Sequence, residues 1–217
     1  MPDEPIRYLK EGGQGEIIEK RSRFLATLSP VTSEEEALLF IEQMKKRYWD
    51  ARHNCYAYVL GDRAELCRCS DDGEPPHTAG RPMLDALLAS GIRNAVVVVT
   101  RYFGGILLGT GGLTRAYREA VLEGIRNCKT LEKKTGIPVD IVTDYNGIGK
   151  LLFLAGNGSY PVLSSDYGAD VKVSLLVPPE ELNGFLSALS DATSGKAETE
   201  AGDPVSYSLD GAEVILL

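Results

Sequence analysis

Apolar positions along the chain switch between a period of about two and a period of about 3.6, the marks of half-buried strands and amphipathic helices. Glu16 to Leu28 reads as strand, bent near Ser22 into two. Ser33 opens a helix, with Glu36 at capping-box spacing and Ala37, Phe40, Ile41, Met44 and Tyr48 as its apolar stripe. Asn54 to Leu60 and Ala64 to Ser70 read as strands around a Gly61-Asp62 turn. Pro82 suits the first turn of a helix that runs to Ala89. Ala95-Val-Val-Val-Val-Thr100 is the β-branched run of a buried strand, and Leu113, Ala116, Tyr117, Ala120, Val121 and Ile125 then recur at helical spacing.

Beyond residue 130 a second series begins. Pro138 to Asp144 is a strand, Gly147 to Gly156 a helix, and Tyr160 to Ser165 and Val171 to Val177 strands around a Tyr167-Gly168 turn. Pro178 and Pro179 open a helix carrying Leu182, Phe185, Leu186 and Leu189. Val205 to Leu209 is a last strand, to which Glu213 to Leu217 adds another. The order β-α-β-β-α-β is a split βαβ, ferredoxin-like pattern. The expected class is α/β in the broad, α+β sense, with one domain over residues 1–130 and a second over 131–217.

Charge sharpens that division. The chain has 217 residues and a formal net charge of −8, yet residues 1–130 hold 18 basic and 18 acidic side chains, whereas 131–217 hold 5 and 13. A polyanion is repelled by the second half and, if bound, belongs to the first. The length suffices for a core without staples. Cys55, Cys67, Cys69 and Cys128 show no C-x-x-C spacing and read as reduced thiols. The start, Met1-Pro-Asp-Glu-Pro5, is polar, and Ala95 to Val99 is far too short to span a bilayer. The expectation is a cytoplasmic protein with no membrane association.

The most informative chemistry lies in Arg101-Tyr-Phe-Gly-Gly-Ile-Leu-Leu-Gly-Thr-Gly-Gly-Leu-Thr-Arg115. A strand feeds a loop holding Gly104, Gly105, Gly109, Gly111 and Gly112, and the loop feeds a helix. Glycines let backbone N–H groups converge, and a helix N-terminus adds partial positive charge, which suits phosphate. Thr110 stands where a P-loop needs lysine, and no G-x-G-x-x-G occurs. The same glycines serve a tight turn packed on a sheet, so spacing leaves both readings open. Arg101, Arg115 and Arg118 would form a basic patch, with Tyr102 and Phe103 available for stacking.

A second dense segment runs from Ser70 to Pro82. Asp71, Asp72 and Glu74 offer oxygen ligands to a divalent cation, but EF-hand spacing is absent and an acidic surface turn is the favoured reading. Thr78 to Pro82 leads into a helix and would present amides to an anion, with Arg81 as a bidentate donor. His53 and Cys55 suggest a base and a nucleophile, although no third orienting residue is evident. No metal and no cofactor are expected.

Asp50-Ala-Arg-His-Asn-Cys55, Ser70-Asp-Asp-Gly-Glu-Pro75, Thr78-Ala-Gly80 and Val97 through Tyr117 together resemble the signature of the IMPACT family, in its bacterial YigZ-type branch. The likeness is strong from Glu16 to Cys128 and weaker beyond. It implies a first domain like the second domain of ribosomal protein S five, and a second domain like one of elongation factor G. It also implies a link to translation, since eukaryotic relatives restrain a translation-stress kinase by competing for its ribosome-associated activator. Leu107 stands where the family commonly has lysine, Pro76 and His77 where Ser-Gly is common, and Arg52 where threonine is usual. The sequence before Glu16 leaves no room for the domain that binds the kinase activator, so that partnership is not carried over.

The expected function is therefore a non-enzymatic, translation-linked protein. It would bind RNA or the ribosome through Arg52, His53, Asn54, Arg81, Arg101, Arg115 and the glycine-loop amides, with a protein partner on the acidic second domain. The rivals are a phosphate-handling or hydrolytic enzyme using Asp71, Asp72, Glu74 and His53, and a pure protein–protein module.

Overall fold

The computed structural model describes residues 5–217, so the polar start of the chain, residues 1–4, lies outside the described residues. The chain forms two compact units, one ending at Glu132 and one beginning at Lys133.

The first unit contains β1 (Arg7–Glu11), β2 (Gln14–Glu19), β3 (Ser22–Pro30), α1 (Glu34–Arg47), β4 (His53–Leu60), β5 (Leu66–Ser70), α2 (Gly80–Ala89), β6 (Ile92–Arg93), β7 (Ala95–Tyr102), α3 (Gly109–Arg126) and β8 (Lys129–Glu132). Its main sheet has the order β2-β3-β7-β4-β5 and is antiparallel throughout. The valine run explains the layering. Val97 and Val99 join the cluster that includes Met83 and Leu87 of α2 and Tyr117 and Val121 of α3. Val96 and Val98 join Ala37, Ile41 and Met44 of α1. β7 is thus covered on both faces, which is why its sequence does not alternate. A small sheet of order β6-β1-β8 completes the unit.

The helix start at Ser33 follows the sequence expectation with one addition. Ser33 Oγ accepts from the Glu36 amide at 3.2 Å, and the Glu36 carboxylate, besides its contact with the Ser33 amide, accepts the Thr32 amide at 2.6 Å.

The second unit contains β9 (Lys134–Thr143), α4 (Ile148–Gly158), β10 (Val162–Tyr167), β11 (Val171–Val177), α5 (Leu182–Thr193), β12 (Glu198–Ala201), β13 (Val205–Asp210) and β14 (Glu213–Leu216). β10, β11, β9 and β12 lie side by side, all antiparallel, which is the strand order of the split βαβ motif. Leu151, Ala155, Phe185 and Leu189 of the two helices pack on Val139, Ile141, Val173 and Leu175. The place expected for Val205 to Leu209 is taken by β12, whose Glu198–Ala201 pairs along Val139 to Val142. β13 pairs instead with the start of β9 and turns into β14. A polar, exposed strand such as Glu198–Ala201 has no apolar period to betray it.

The sheet face opposite that core is acidic. Register places Asp140 beside Glu200, and Val142 beside both Lys172 and Glu198, with Asp166 opposite Lys172. Among the described residues no helix is long and apolar enough to cross a membrane.

Candidate functional site

Antiparallel register brings His53 opposite Arg101 and Arg23 opposite Tyr102. The starts of β3 and β4 therefore meet the end of β7 at one end of the main sheet. A cleft of about 220 Å³ opens there. Arg52 and His53 line it from the start of β4, Gly73, Glu74 and Pro75 from the loop after β5, and Arg101, Phe103 and Leu107 from the end of β7 and the glycine loop.

Arg101 is the centre of this arrangement. It is only 7% exposed, although its guanidinium carries a full charge. Nη1 donates to Glu74 Oε1 at 2.7 Å, and the same oxygen accepts from the Tyr117 hydroxyl at 2.8 Å. The guanidinium lies between two rings, 5.4 Å from the centroid of Phe24 and 5.5 Å from that of Phe103. Its buried Nε has no hydrogen-bond partner among the described residues. A buried guanidinium needs its pairing carboxylate, because a lone charge at this depth carries a large desolvation penalty.

The other carboxylates of the acidic segment are engaged locally. Asp71 accepts the amides of His77, Ala79 and Gly80 at 2.8, 2.9 and 2.9 Å. Burial opposes its ionisation, but these three donated bonds outweigh that and hold its carboxyl below the usual range. Asp71 thus supplies the negative charge at the α2 N-terminus that no local capping side chain provides. Asp72 accepts the Asn54 amide at 2.7 Å and pairs with Lys45 at 3.3 Å. Among the described residues, no group of acidic, His and Cys side chains has the arrangement of a metal site.

This geometry revises several sequence expectations. The amides leading into α2 are already taken by Asp71, and Arg81 pairs with Asp85 at 2.8 Å on the same helix. Asn54 is buried, its side chain accepting from Thr100 Oγ1 at 2.7 Å, so it braces β4 rather than facing a ligand. Arg115 lines a different groove, with Ile17, Glu19 and Glu119. Of the expected arginines, only Arg52 and Arg101 are brought into the cleft.

His53 and Cys55 are also separated in role. His53 Nδ1 lies 2.8 Å from the Asp72 carbonyl. A carbonyl only accepts, so Nδ1 carries the proton and Nε2 is left for another partner. The Cys55 S–H lies 3.0 Å from the Asp71 carbonyl and 3.4 Å from the Tyr117 hydroxyl. Burial pushes that thiol far above its ordinary range; the Tyr117 hydrogen bond offsets this only in part, and the carboxylates of Glu74, Asp72 and Asp71 add to it. A nucleophilic cysteine needs the thiolate, which this site suppresses.

The glycine loop is built for close approach at one end and openness at the other. A Cβ on Gly104 would stand 2.0 Å from the Arg21 carbonyl carbon, and the Gly104 amide donates to Ser22 Oγ at 3.1 Å. Gly109 starts α3 at a φ of +72°, a conformation that favours glycine. Gly109, Thr110 and Gly111 are exposed, no acidic residue lies in the first turn, and no side chain caps the helix. Leu107 is 82% exposed.

Half-buried Tyr102, at the end of β7, and half-buried Tyr48, just after α1, each lie beside an exposed arginine. Tyr102 OH donates to Asp50 at 3.0 Å, Arg23 lies 5.9 Å from the Tyr102 ring centroid, and Arg47 lies 5.3 Å from that of Tyr48. Trp49, which falls between Tyr48 and Asp50, is 82% exposed. The sequence reading passed over Trp49, Gly73 and Pro75. The signal for Trp49 was its place as the chain's one tryptophan beside a Lys-Lys-Arg run.

Comparison with known proteins places these features in a family. Residues 20–125 match the Impact N-terminal domain, and residues 141–196 match a domain of unknown function, DUF1949. The chain is 38% identical over 195 residues to IMPACT family member YvyE of Bacillus subtilis, covering 90% of each chain. It is 36% identical over 181 residues to IMPACT family member YigZ of Escherichia coli, covering 82% of this chain and 89% of that one. A crystal structure of a hypothetical protein aligns with a TM-score of 0.57 at 34% identity, covering 91% of this chain and 97% of that one. With relatives of this identity matched over nearly their whole length, the chain belongs to the IMPACT family.

Proposed function

We propose that the protein is a cytoplasmic, translation-linked binding protein whose first unit holds RNA, free or on the ribosome, at the cleft between β4, β7 and the glycine loop. The observation that carries this reading is Arg101. A buried guanidinium lies over two aromatic rings at a cleft that also presents Arg52 and His53. Arginine is suited to phosphate, and exposed aromatic faces beside arginine are the means by which proteins hold unstacked bases. Phe103 offers such a face. The engagement of Asp71 and Asp72 with backbone amides, and the suppressed thiolate of Cys55, favour binding over hydrolysis. The acidic sheet face of the second unit is suited to a basic protein partner rather than to RNA.

Co-sedimentation with ribosomes, run beside gel-shift of a structured RNA, tests this. The protein should follow ribosomes or RNA at low salt and be released as salt rises. Salt-insensitive capture would place the contact on a protein surface instead.

A further inference from the structure

The cleft is open to solvent on its outer side and closed on its inner side. Its volume of about 220 Å³ matches one phosphate with part of the sugar or base it carries. Its inner side is closed by Arg101 and Glu74, each 7% exposed, with fully buried Tyr117 and Phe24 packed against them. A phosphate that reaches Arg101 lies at this closed inner end, where an internal phosphodiester, with chain leaving on both sides, has to turn back. A strand end leaves on one side only.

The donors point to the same ligand. A guanidinium has five N–H groups in a planar fork. In Arg101, Nη1 is held by Glu74 and the buried Nε has no acceptor among the described residues. Buried donors are almost always satisfied, so this orphan can take an acceptor from outside the chain once Phe103 moves aside. Phe103 covers the guanidinium yet is 51% exposed, and the glycine that follows it, Gly104, is pinned to Ser22 while Gly105 has open space around it. Arg52 is exposed and lines the same cleft.

We infer that the cleft holds the terminal phosphate monoester of an RNA strand, with Arg52 and Arg101 around the phosphate and Phe103 against the terminal base. The inference rests on the RNA-binding reading and names the part of the RNA that this cleft takes. A monoester carries more negative charge than a diester and exposes three oxygens, which suits the two guanidinium groups of Arg52 and Arg101. The terminal phosphate meets the Arg101 fork as Phe103 moves from guard to stacking partner.

The test titrates the full chain with one short ribonucleotide in three forms: 5′-phosphorylated, 3′-phosphorylated, and hydroxyl at both ends. At ~50 mM salt, one phosphorylated form should bind at least about tenfold tighter than the hydroxyl form, the effect of a charge-assisted contact. Arg52→Ala should abolish that preference without lowering the melting temperature, because Arg52 is exposed. Arg52→Lys should restore part of it. Equal affinity for all three forms would overturn this inference and leave RNA binding standing. Failure of every form to bind would overturn both.

Discussion

Glu74 Oε1 accepts from both Arg101 Nη1 and Tyr117 OH, so one oxygen joins the end of β7 to the middle of α3 beneath the cleft. The loop after β5 is tied by this bond to the sheet and to the helix of the glycine loop. The cleft is therefore set by a buried polar cluster, not by surface side chains that adjust freely.

Breaking that cluster should be costly. Glu74→Gln leaves the Arg101 charge without its counter-charge at depth, and denaturant unfolding should show a loss of about 3–5 kcal/mol. The double change Glu74→Leu with Arg101→Met should cost less than either single change, because no buried charge is left over. A Glu74→Gln variant within about 0.5 kcal/mol of the parent would show that the pair contributes nothing to the fold.

Asp71 gives a pH signature. Its folded carboxyl is held below its unfolded value, so its contribution is present above the unfolded pKa and is lost as pH falls through the folded one. Asp71→Asn should cost about 1 kcal/mol at neutral pH, the size of a helix-cap loss at a partly exposed site. Its stability should then fall less steeply on acidification than the parent's. Parallel acid-unfolding curves for the two proteins would remove Asp71 from this role.

Leu107 is a surface position, so charge can be added there without disturbing the core. Leu107→Lys should leave the melting temperature within error and tighten RNA binding, with the salt slope steeper by about one phosphate contact. A lowered melting temperature with unchanged affinity would place this side chain against the protein rather than the ligand.

The charge division makes a further prediction. A fragment of residues 1–132 should melt cooperatively and bind RNA at least as tightly as the whole chain, because the acidic second unit repels phosphate. Weaker binding by a folded fragment would assign part of the RNA contact to the second unit.

Much of this architecture was legible in the chain. The Val96 to Val99 run announced a buried strand because both faces of β7 are covered. The glycine loop and the α3 stripe were legible because a turn and a 3.6-residue period each leave a local mark. Short or polar strands such as β1 and β12 leave none, since tertiary pairing alone makes them strands. The cleft was half legible. Arg52, His53 and Arg101 stood out by residue type, but no spacing reveals that Glu74 and Arg101 meet, or that Arg81 and Arg115 face elsewhere. Those facts depend on strand register and on a loop folding back over 27 residues.

The most direct measurement of the central claim is the salt dependence of RNA affinity for the full chain and for Arg52→Ala. From ~50 mM salt upward, the parent's log affinity should fall linearly with log salt, and Arg52→Ala should be weaker with a slope shallower by about one phosphate contact. Identical slopes and affinities for the two proteins, or no binding at ~50 mM salt, would contradict the assignment of this cleft to RNA.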